Sequence, residues 1–90
     1  MRPKRTVVRL STFGPKLISR SEARRIVCDL DEFREVVLDF KEVDLVGQGF
    51  ADEVFRVWAR HHPEVRLIPT DMTAGVEFMV ERAIRTGRKD

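Results

Sequence analysis

The sequence has little cysteine and no long apolar run, the features that would point to secretion or to a membrane. Its one cysteine, Cys28, cannot form an internal disulfide, which suits the reducing cytoplasm, where we expect the protein to be. No apolar run approaches the ~20 residues of a membrane-spanning helix. The first ten residues, MRPKRTVVRL, have no apolar stretch of about 7–15 residues, as a secretory leader would. We therefore expect neither a membrane segment nor a leader.

Patterns typical of catalytic and metal sites are also missing. His61 and His62 are adjacent, which turns their rings apart, and no cluster of cysteine, histidine or carboxylate stands near them at metal-ligand spacing. Cys28 has Arg24 and Arg25 nearby but no histidine that could act as its base. We therefore predict a protein that is not an enzyme and that uses no metal or cofactor.

Size and charge indicate one soluble domain spanning 1–90. The 90 residues are 42% apolar and 36% charged, and the formal net charge is +2. A chain of this length buries roughly 60–65% of its unfolded surface in a single core. The middle holds at least as many acids as bases, so we expect solvated, frayed ends (about 1–5 and 86–90) rather than nucleic-acid binding. The basic residues of these ends are Arg2, Lys4, Arg5, Arg9, Arg82, Arg85, Arg88 and Lys89.

The first third predicts a hairpin followed by a helix. TVVRLS (6–11) and KLIS (16–19) predict two strands joined through the Gly-Pro turn of TFGPK (12–16). Ser19 and Glu22 have capping-box spacing, although Ser21 is a competing cap. The apolar residues that follow at helical spacing predict a helix ending near Asp31. They are Ala23, Ile26, Val27 and Leu30.

The rest of the chain alternates strands and helices. EVVLDF (35–40) predicts a central parallel strand, and VRLIP (65–69) predicts the next strand. Between them a helix from Gly49 to His61 is predicted to bury a stripe of apolar side chains. The last helix, capped by Asp71 or Thr73, is predicted to end at Gly87. The order ββαβαβα indicates an α/β fold, with about three helices over a mixed, mostly parallel sheet of about four strands. The apolar stripe of the helix from Gly49 to His61 comprises Phe50, Val54, Phe55, Val57 and Trp58. In the last helix the apolar residues at helical spacing are Val76, Met79, Val80 and Ala83.

The stretch GQGFADEVF (47–55) lies where open α/β sheets place ligands, at the carboxyl end of a strand. Free N–H groups at a helix start attract anions. However, Asp52 and Glu53 are predicted in the first turn, where each gains about 0.3–1 kcal/mol from the helix dipole and repels a phosphate. No Gly-Lys-Ser/Thr follows, so the stretch is not a P-loop.

The acids of this stretch and of the strand before it are not predicted to be catalytic. Asp52 and Glu53 point about 100° apart on a helix and do not converge on one atom, but both can reach Arg56. We expect an exposed helix face laced with charges, or a face on which a partner docks. Asp39, near the end of its strand, is predicted to support the next loop by bonding to its amides or to Arg20.

Three segments together resemble the STAS-like domain family of unknown function, which is related to the STAS domains of anti-sigma-factor antagonists and sulphate-transporter tails. They are LISRSEARRIV, VVLDFKEVDLVGQGFADEVFRV and AGVEFMVERAI, within about 13–84. The specific features are Ser19-Arg20 with Ala23, the strand end Leu38-Asp39-Phe40, and the run 47–53. The resemblance implies a STAS-like α/β fold and a regulatory role. Members occur alone or attached to histidine-kinase-like ATPase or DNA-binding regulatory domains.

One departure from the related antagonists concerns phosphorylation. There, an Asp-Ser-Ser-Gly element at a helix start carries the serine that a kinase phosphorylates. The matching positions in this chain, Gly47 to Phe50, hold no hydroxyl. The phosphorylation switch therefore cannot be carried over, and our hypothesis is that Asp52 or Glu53 leaves the surface permanently acidic.

The leading functional hypothesis is a non-enzymatic docking module of a signalling system, cytoplasmic and similar to an anti-sigma factor antagonist. The implied partner is a histidine-kinase-like ATPase or another regulatory protein. The alternatives are a small-ligand or nucleotide sensor that uses the helix start at Gly49, and DNA-associated regulation through the basic ends. Arg20 is expected to brace the loop or join the contact. The predicted partner-binding residues are Asp44, Gly47, Gln48, Gly49, Asp52, Glu53 and Arg56.

Overall fold

The computed structural model describes residues 4–89, which form parallel strands covered by helices. Two 3₁₀ turns, Leu10–Phe13 and Leu30–Glu32, accompany the strands and helices. The elements are, in order, β1 Arg5–Arg9, β2 Lys16–Leu17, α1 Arg20–Val27, β3 Glu35–Asp39, β4 Leu45–Val46, α2 Gln48–Asp52, a π-helical segment Glu53–Trp58, α3 Ala59–His61, β5 Arg66–Thr70 and α4 Ala74–Lys89. The α/β fold class predicted above is confirmed, with one strand more than expected.

The main sheet has the order β1-β3-β5, and both of its pairings are parallel. The predicted central position of β3 is confirmed, and its Val36 and Leu38 are almost fully buried. Because the two crossovers run in the same direction across the sheet, their right-handedness brings their helices to one face. The hydrophobic core lies on that face, with Phe50, Val54 and Trp58 among its members.

The opposite face of the main sheet lies outside the core. The register places Val7, Val37 and Ile68 in one row across this face, and none of the three packs into the core cluster. Val37 on the central strand is buried, whereas Val7 on the edge strand is 57% exposed. The core cluster therefore lies on one side of the sheet, although Val37 is buried on the other.

The predicted hairpin is wrong. β2 pairs with β4 in a separate parallel two-stranded sheet, in which Lys16 faces Leu45 and Leu17 faces Val46. The 3₁₀ turn after β1, anchored by the buried Leu10, leads the chain away from β1. Pairing with β4 buries both Leu17 and Val46, which gives this short sheet an apolar inner face. β4 itself was not predicted.

The capping box at α1 is confirmed. The Glu22 N–H donates to Ser19 Oγ at 3.1 Å, and the Ser19 N–H donates to Glu22 Oε1 at 2.9 Å. The Ile18 N–H also donates to Glu22 Oε1, at 3.1 Å. The hydrogen bonds from the Ser19 and Ile18 N–H groups hold the pKa of the Glu22 carboxyl below its usual value. Ser21 is therefore not the cap, and the helix ends at Val27, earlier than the predicted Asp31.

The last helix begins as predicted and ends differently. The Val76 N–H donates to Thr73 Oγ1 at 3.2 Å, which makes Thr73 rather than Asp71 the capping side chain. Gly87 does not end the helix, which continues to Lys89. A Cβ on Gly87 would lie 3.4 Å from Cγ of Arg56, so this glycine lies against a neighbouring helix.

The frayed ends predicted at about 1–5 and 86–90 correspond in part to regular structure. Arg5 begins β1, and residues 86–89 belong to α4. Residues 1–3 and 90, and with them Arg2 of the basic end, lie outside the described residues.

Gly47 joins β4 to α2 at a point where two backbones touch. Its N–H donates to the Leu17 carbonyl at 2.8 Å. A Cβ on Gly47 would lie 2.6 Å from the Ile18 carbonyl oxygen and 3.0 Å from Ile18 Cα, closer than backbone atoms allow. The glycine that was predicted to give a partner close access therefore gives that access to the chain itself.

Gly47→Ala is expected to lower the free energy of unfolding by about 1–3 kcal/mol, because the backbone of Ile18 must move to admit the methyl group. The control is Gly75→Ala, since a Cβ there meets nothing within 4 Å and its position is in a helix. The control should be neutral or stabilising by up to about 1 kcal/mol. Urea unfolding followed by Trp58 fluorescence measures both. Equal stability of the two variants would contradict the contact.

Candidate functional site

The predicted docking residues surround the junction of β4 and α2. Asp44, Leu45 and Gln48 are exposed, whereas Gly47 and Gly49 are half-buried. The Asp44 N–H donates to the Pro15 carbonyl at 2.8 Å, so the backbone that enters the junction is tied to the chain before β2. The junction is therefore held by backbone hydrogen bonds on the side away from solvent.

Asp52 is an internal ion-pair centre rather than an exposed charge. Arg56, one turn later, donates from Nε to Oδ1 at 2.6 Å and from Nη2 to Oδ2 at 2.7 Å. Nη1 of Arg20, the first residue of α1, lies 2.8 Å from Oδ2 of the same carboxylate. The Asp52 side chain is 15% exposed. The hydrogen bonds from Arg56, and then those from Arg20, lower the pKa of Asp52 from 3.8 to about 2.

The Glu53 side chain is buried, although the sequence predicted it on an exposed helix face. Its Oε1 lies 3.5 Å from Nη1 of Arg20 and 3.6 Å from Nη2 of Arg24, so its ion pairs are with α1 rather than with Arg56. Its side chain is only 10% exposed. The π-helical segment accounts for the difference. Hydrogen bonds from i to i+5 rotate each residue by less than the about 100° of an α-helix, and this brings Glu53 to Phe55 onto one buried arc.

The charge that this surface offers to solvent is therefore carried mainly by arginine. Side chains of Arg20 and Arg24 are 44% and 64% exposed, against 15% for Asp52. The hydrogen bond to Asp52 is the main cause that raises the pKa of the Arg20 guanidinium. The prediction of an exposed acidic face at Asp52 and Glu53 is wrong. So is their placement in the first turn, since the helix begins at Gln48 and they follow in the second.

The start of α2 leaves little room for an anion. The Phe50 N–H, one of the donors that an anion would use, donates to the Ile18 carbonyl at 3.2 Å. Gly49 lies against the stem of Arg20, whose Cγ would be 3.4 Å from a Cβ at that position. The geometry thus gives no support to the nucleotide or small-ligand sensor predicted at Gly49.

A pair of exposed aliphatic side chains lies beside this junction. Ile18 is 46% exposed and Leu45 is 48% exposed. Both follow the alternation of the small sheet, in which Leu17 and Val46 point inward, so they share the outer face with Lys16. Sequence reasoning missed this pair, because in both Lys-Leu-Ile (16–18) and Asp-Leu-Val (44–46) two apolar residues are adjacent, and the pattern does not show which of the two is buried.

Asp39 is hydrogen-bonded to the loop after β3, and its support of that loop stays a prediction. Its Oδ1 accepts a hydrogen bond from the Lys41 N–H at 2.9 Å, one of the two kinds of partner expected. The other, Arg20, is engaged by Asp52 and Glu53. Asp39 and Arg20 therefore bond to different parts of the molecule.

The remaining candidates from the sequence have structural roles. Phe50, Phe55 and Trp58 are buried, and the Trp58 ring stacks on that of His62 with 4.4 Å between ring centroids. Within residues 4–89 there is no group of three side chains that could hold a metal ion. None of the helices described is long and apolar enough to cross a bilayer.

Comparison with known families agrees with this geometry. A family model described as a STAS-like domain of unknown function matches residues 22–77, well over half of the chain. The match confirms the resemblance that the three sequence segments indicated. Searches of curated proteins and of solved structures returned no match.

Asp52→Asn is expected to lower the free energy of unfolding by about 1–2 kcal/mol at pH 7, because the paired guanidinium groups lose their counter-charge. Since the folded pKa of about 2 lies below 3.8, the stabilisation is complete above about pH 4 and is lost as the pH falls through 2. The difference between variant and wild type should therefore shrink in that window.

Urea unfolding at pH 7 and pH 2.5 provides the test, with the exposed Asp44→Asn as the matched control. The control should change stability by less than about 0.5 kcal/mol at either pH. A deficit in Asp52→Asn that is the same at both pH values would contradict the assigned role of the carboxylate.

Proposed function

The chain belongs to the family of STAS-like domains of unknown function, and we propose that it is a non-enzymatic regulatory module that docks onto a protein partner. The proposed docking face comprises Ile18, Arg20, Asp44, Leu45 and Gln48. It lies on the small sheet and the starts of α1 and α2; Arg20, Asp44 and Gln48 were indicated by the sequence, and the exposed pair Ile18 and Leu45 comes from the structure. The observation that carries the proposal is the exposed pair Ile18 and Leu45, placed next to charged and amide side chains.

The composition of the docking face suits an intermittent protein contact. Two adjacent aliphatic side chains, each about half exposed, supply apolar area that a partner can cover. Gln48 supplies donor and acceptor groups, and Asp44 and Arg20 supply charge at the rim. An apolar centre with a polar rim is the usual anatomy of such interfaces.

The rigidity of the docking face supports the same function. Arg20 is held by the carboxylates of Asp52 and Glu53, and Ile18 is fixed by its carbonyl bond to the Phe50 N–H. A side chain that is already ordered loses less conformational entropy on binding. In this proposal Asp52, Glu53 and Arg56 hold the face in shape, and Gly47 and Gly49 permit its close packing, while their neighbours make the contact.

The proposed partner is a histidine-kinase-like ATPase or another signalling or transcription-regulatory protein, by analogy with STAS relatives. Because Arg20 is more exposed than its partners Asp52 and Glu53, we expect an acidic patch on the partner protein opposite Arg20. Gly47 to Phe50 contain no hydroxyl, so docking would not be switched by phosphorylation at these positions.

Leu45→Asp should weaken binding of the partner by about tenfold or more, since it places a carboxylate at the apolar centre of the docking face. The partner is one recovered with the wild-type chain, purified, and titrated by isothermal calorimetry. Phe78→Asp is the matched control, because Phe78 on α4 is also an exposed apolar residue, at 58%, but lies outside the face.

The control should bind within about twofold of wild type, and circular dichroism should show that both variants are folded. Equal binding by Leu45→Asp and wild type would place the contact elsewhere. Equal weakening by both substitutions would indicate a general effect of an added surface carboxylate rather than loss of a specific docking face.

A further inference from the structure

A polar cavity of about 370 Å³ opens at the carboxyl ends of the main-sheet strands, and its lining shares no residue with the proposed docking face. Open α/β sheets commonly bind ligands outside this end of their strands. The cavity volume is within the range of small-molecule sites. Its lining consists of Arg9, Ser11, Asp39, Lys41, Glu42 and Asp71.

The fold brings these residues together from three strands. Arg9 and Asp39 are register partners at the ends of β1 and β3, and Asp39 is in turn the partner of Thr70, just before Asp71. Glu42, in the turn after β3, has φ 66°, and Asp71 has φ 56°. These are the non-glycine residues with positive φ among residues 4–89, and both line the cavity. Backbone in this region is sparsely populated and clusters at functional sites.

The charges around the cavity do not neutralise one another. Among the described residues, no ion pair within 4.0 Å involves Arg9, Lys41 or any of the three carboxylates. The hydrogen bond of the Asp39 side chain is with the Lys41 backbone N–H, which leaves its second oxygen for another donor. Positive and negative groups thus surround one space without pairing across it.

We propose that this cavity binds a free α-amino acid. A simple anion would meet three carboxylates, and a simple cation would meet a guanidinium and an ammonium group. A small zwitterion satisfies both sets: its carboxylate pairs with the Arg9 fork, with Lys41 beside it, and its ammonium donates to Asp39, with Asp71 and Glu42 beside it. The Ser11 hydroxyl donates or accepts as required. The proposal does not depend on docking at Leu45.

The test is a titration of the ¹⁵N-labelled chain with each of the twenty common amino acids, followed through the amide signals of Lys41, Glu42 and Asp71. At least one amino acid should give saturable shifts at millimolar concentration. Its N-acetyl derivative and its amide, which each lack one charge, should bind at least tenfold more weakly. Inorganic phosphate is titrated as the probe for a simple anion.

Two variants and one control locate the site. Arg9→Gln and Asp39→Asn should each weaken binding at least tenfold; an asparagine at 39 retains an oxygen that can accept from Lys41, so the loop is kept. Arg34→Gln, an exposed arginine outside the cavity, should bind as wild type. No saturable shift with any amino acid, equal binding by phosphate or by the blocked derivatives, or unchanged binding in Arg9→Gln would overturn the proposal.

Discussion

The Asp52 carboxylate joins the two helices on which the proposed docking face depends. It accepts two hydrogen bonds from Arg56 on its own helix and pairs with Arg20 at the first residue of α1. Glu53 adds contacts to Arg20 and Arg24 from the neighbouring position. Ion pairs that are largely removed from water are costly to break by removal of one partner, and they favour a single arrangement over alternatives. The start of α1 is thereby held against the end of α2.

This junction is reinforced by backbone contacts that require a particular chain path. Gly47 brings α2 against the carbonyl of Ile18, and that carbonyl accepts the N–H of Phe50. The capping box of Ser19 and Glu22 begins α1 immediately after Ile18. Three devices (an ion-pair centre, a glycine contact and a capped helix) therefore act on one short segment, 17–22, and they orient the exposed side chains of Ile18 and Arg20.

The two surfaces to which roles are proposed share no residue. Because the crossovers run in one direction, the helices pack on one face, and the strand ends retain an open polar cavity. The chain belongs to the family of STAS-like domains of unknown function. The absence of a hydroxyl at 47–50 distinguishes this chain from antagonists whose docking is switched by a phosphoserine.

Features set by local interactions were predictable from the sequence. The apolar run of β3, the capping box of α1 and the buried stripe at Phe50 and Trp58 each follow from neighbouring residues, and each is present in the structure.

Tertiary contacts decided the rest. The two-residue strands pair only because Leu17 and Val46 are buried together, Gly87 continues a helix because it lies against Arg56, and the π-helical turn draws Glu53 inward to arginines more than twenty residues earlier in the chain. Periodicity indicates which residues prefer a common face, but the partner of a charge and the closeness of two backbones depend on chain segments that only the folded core brings together.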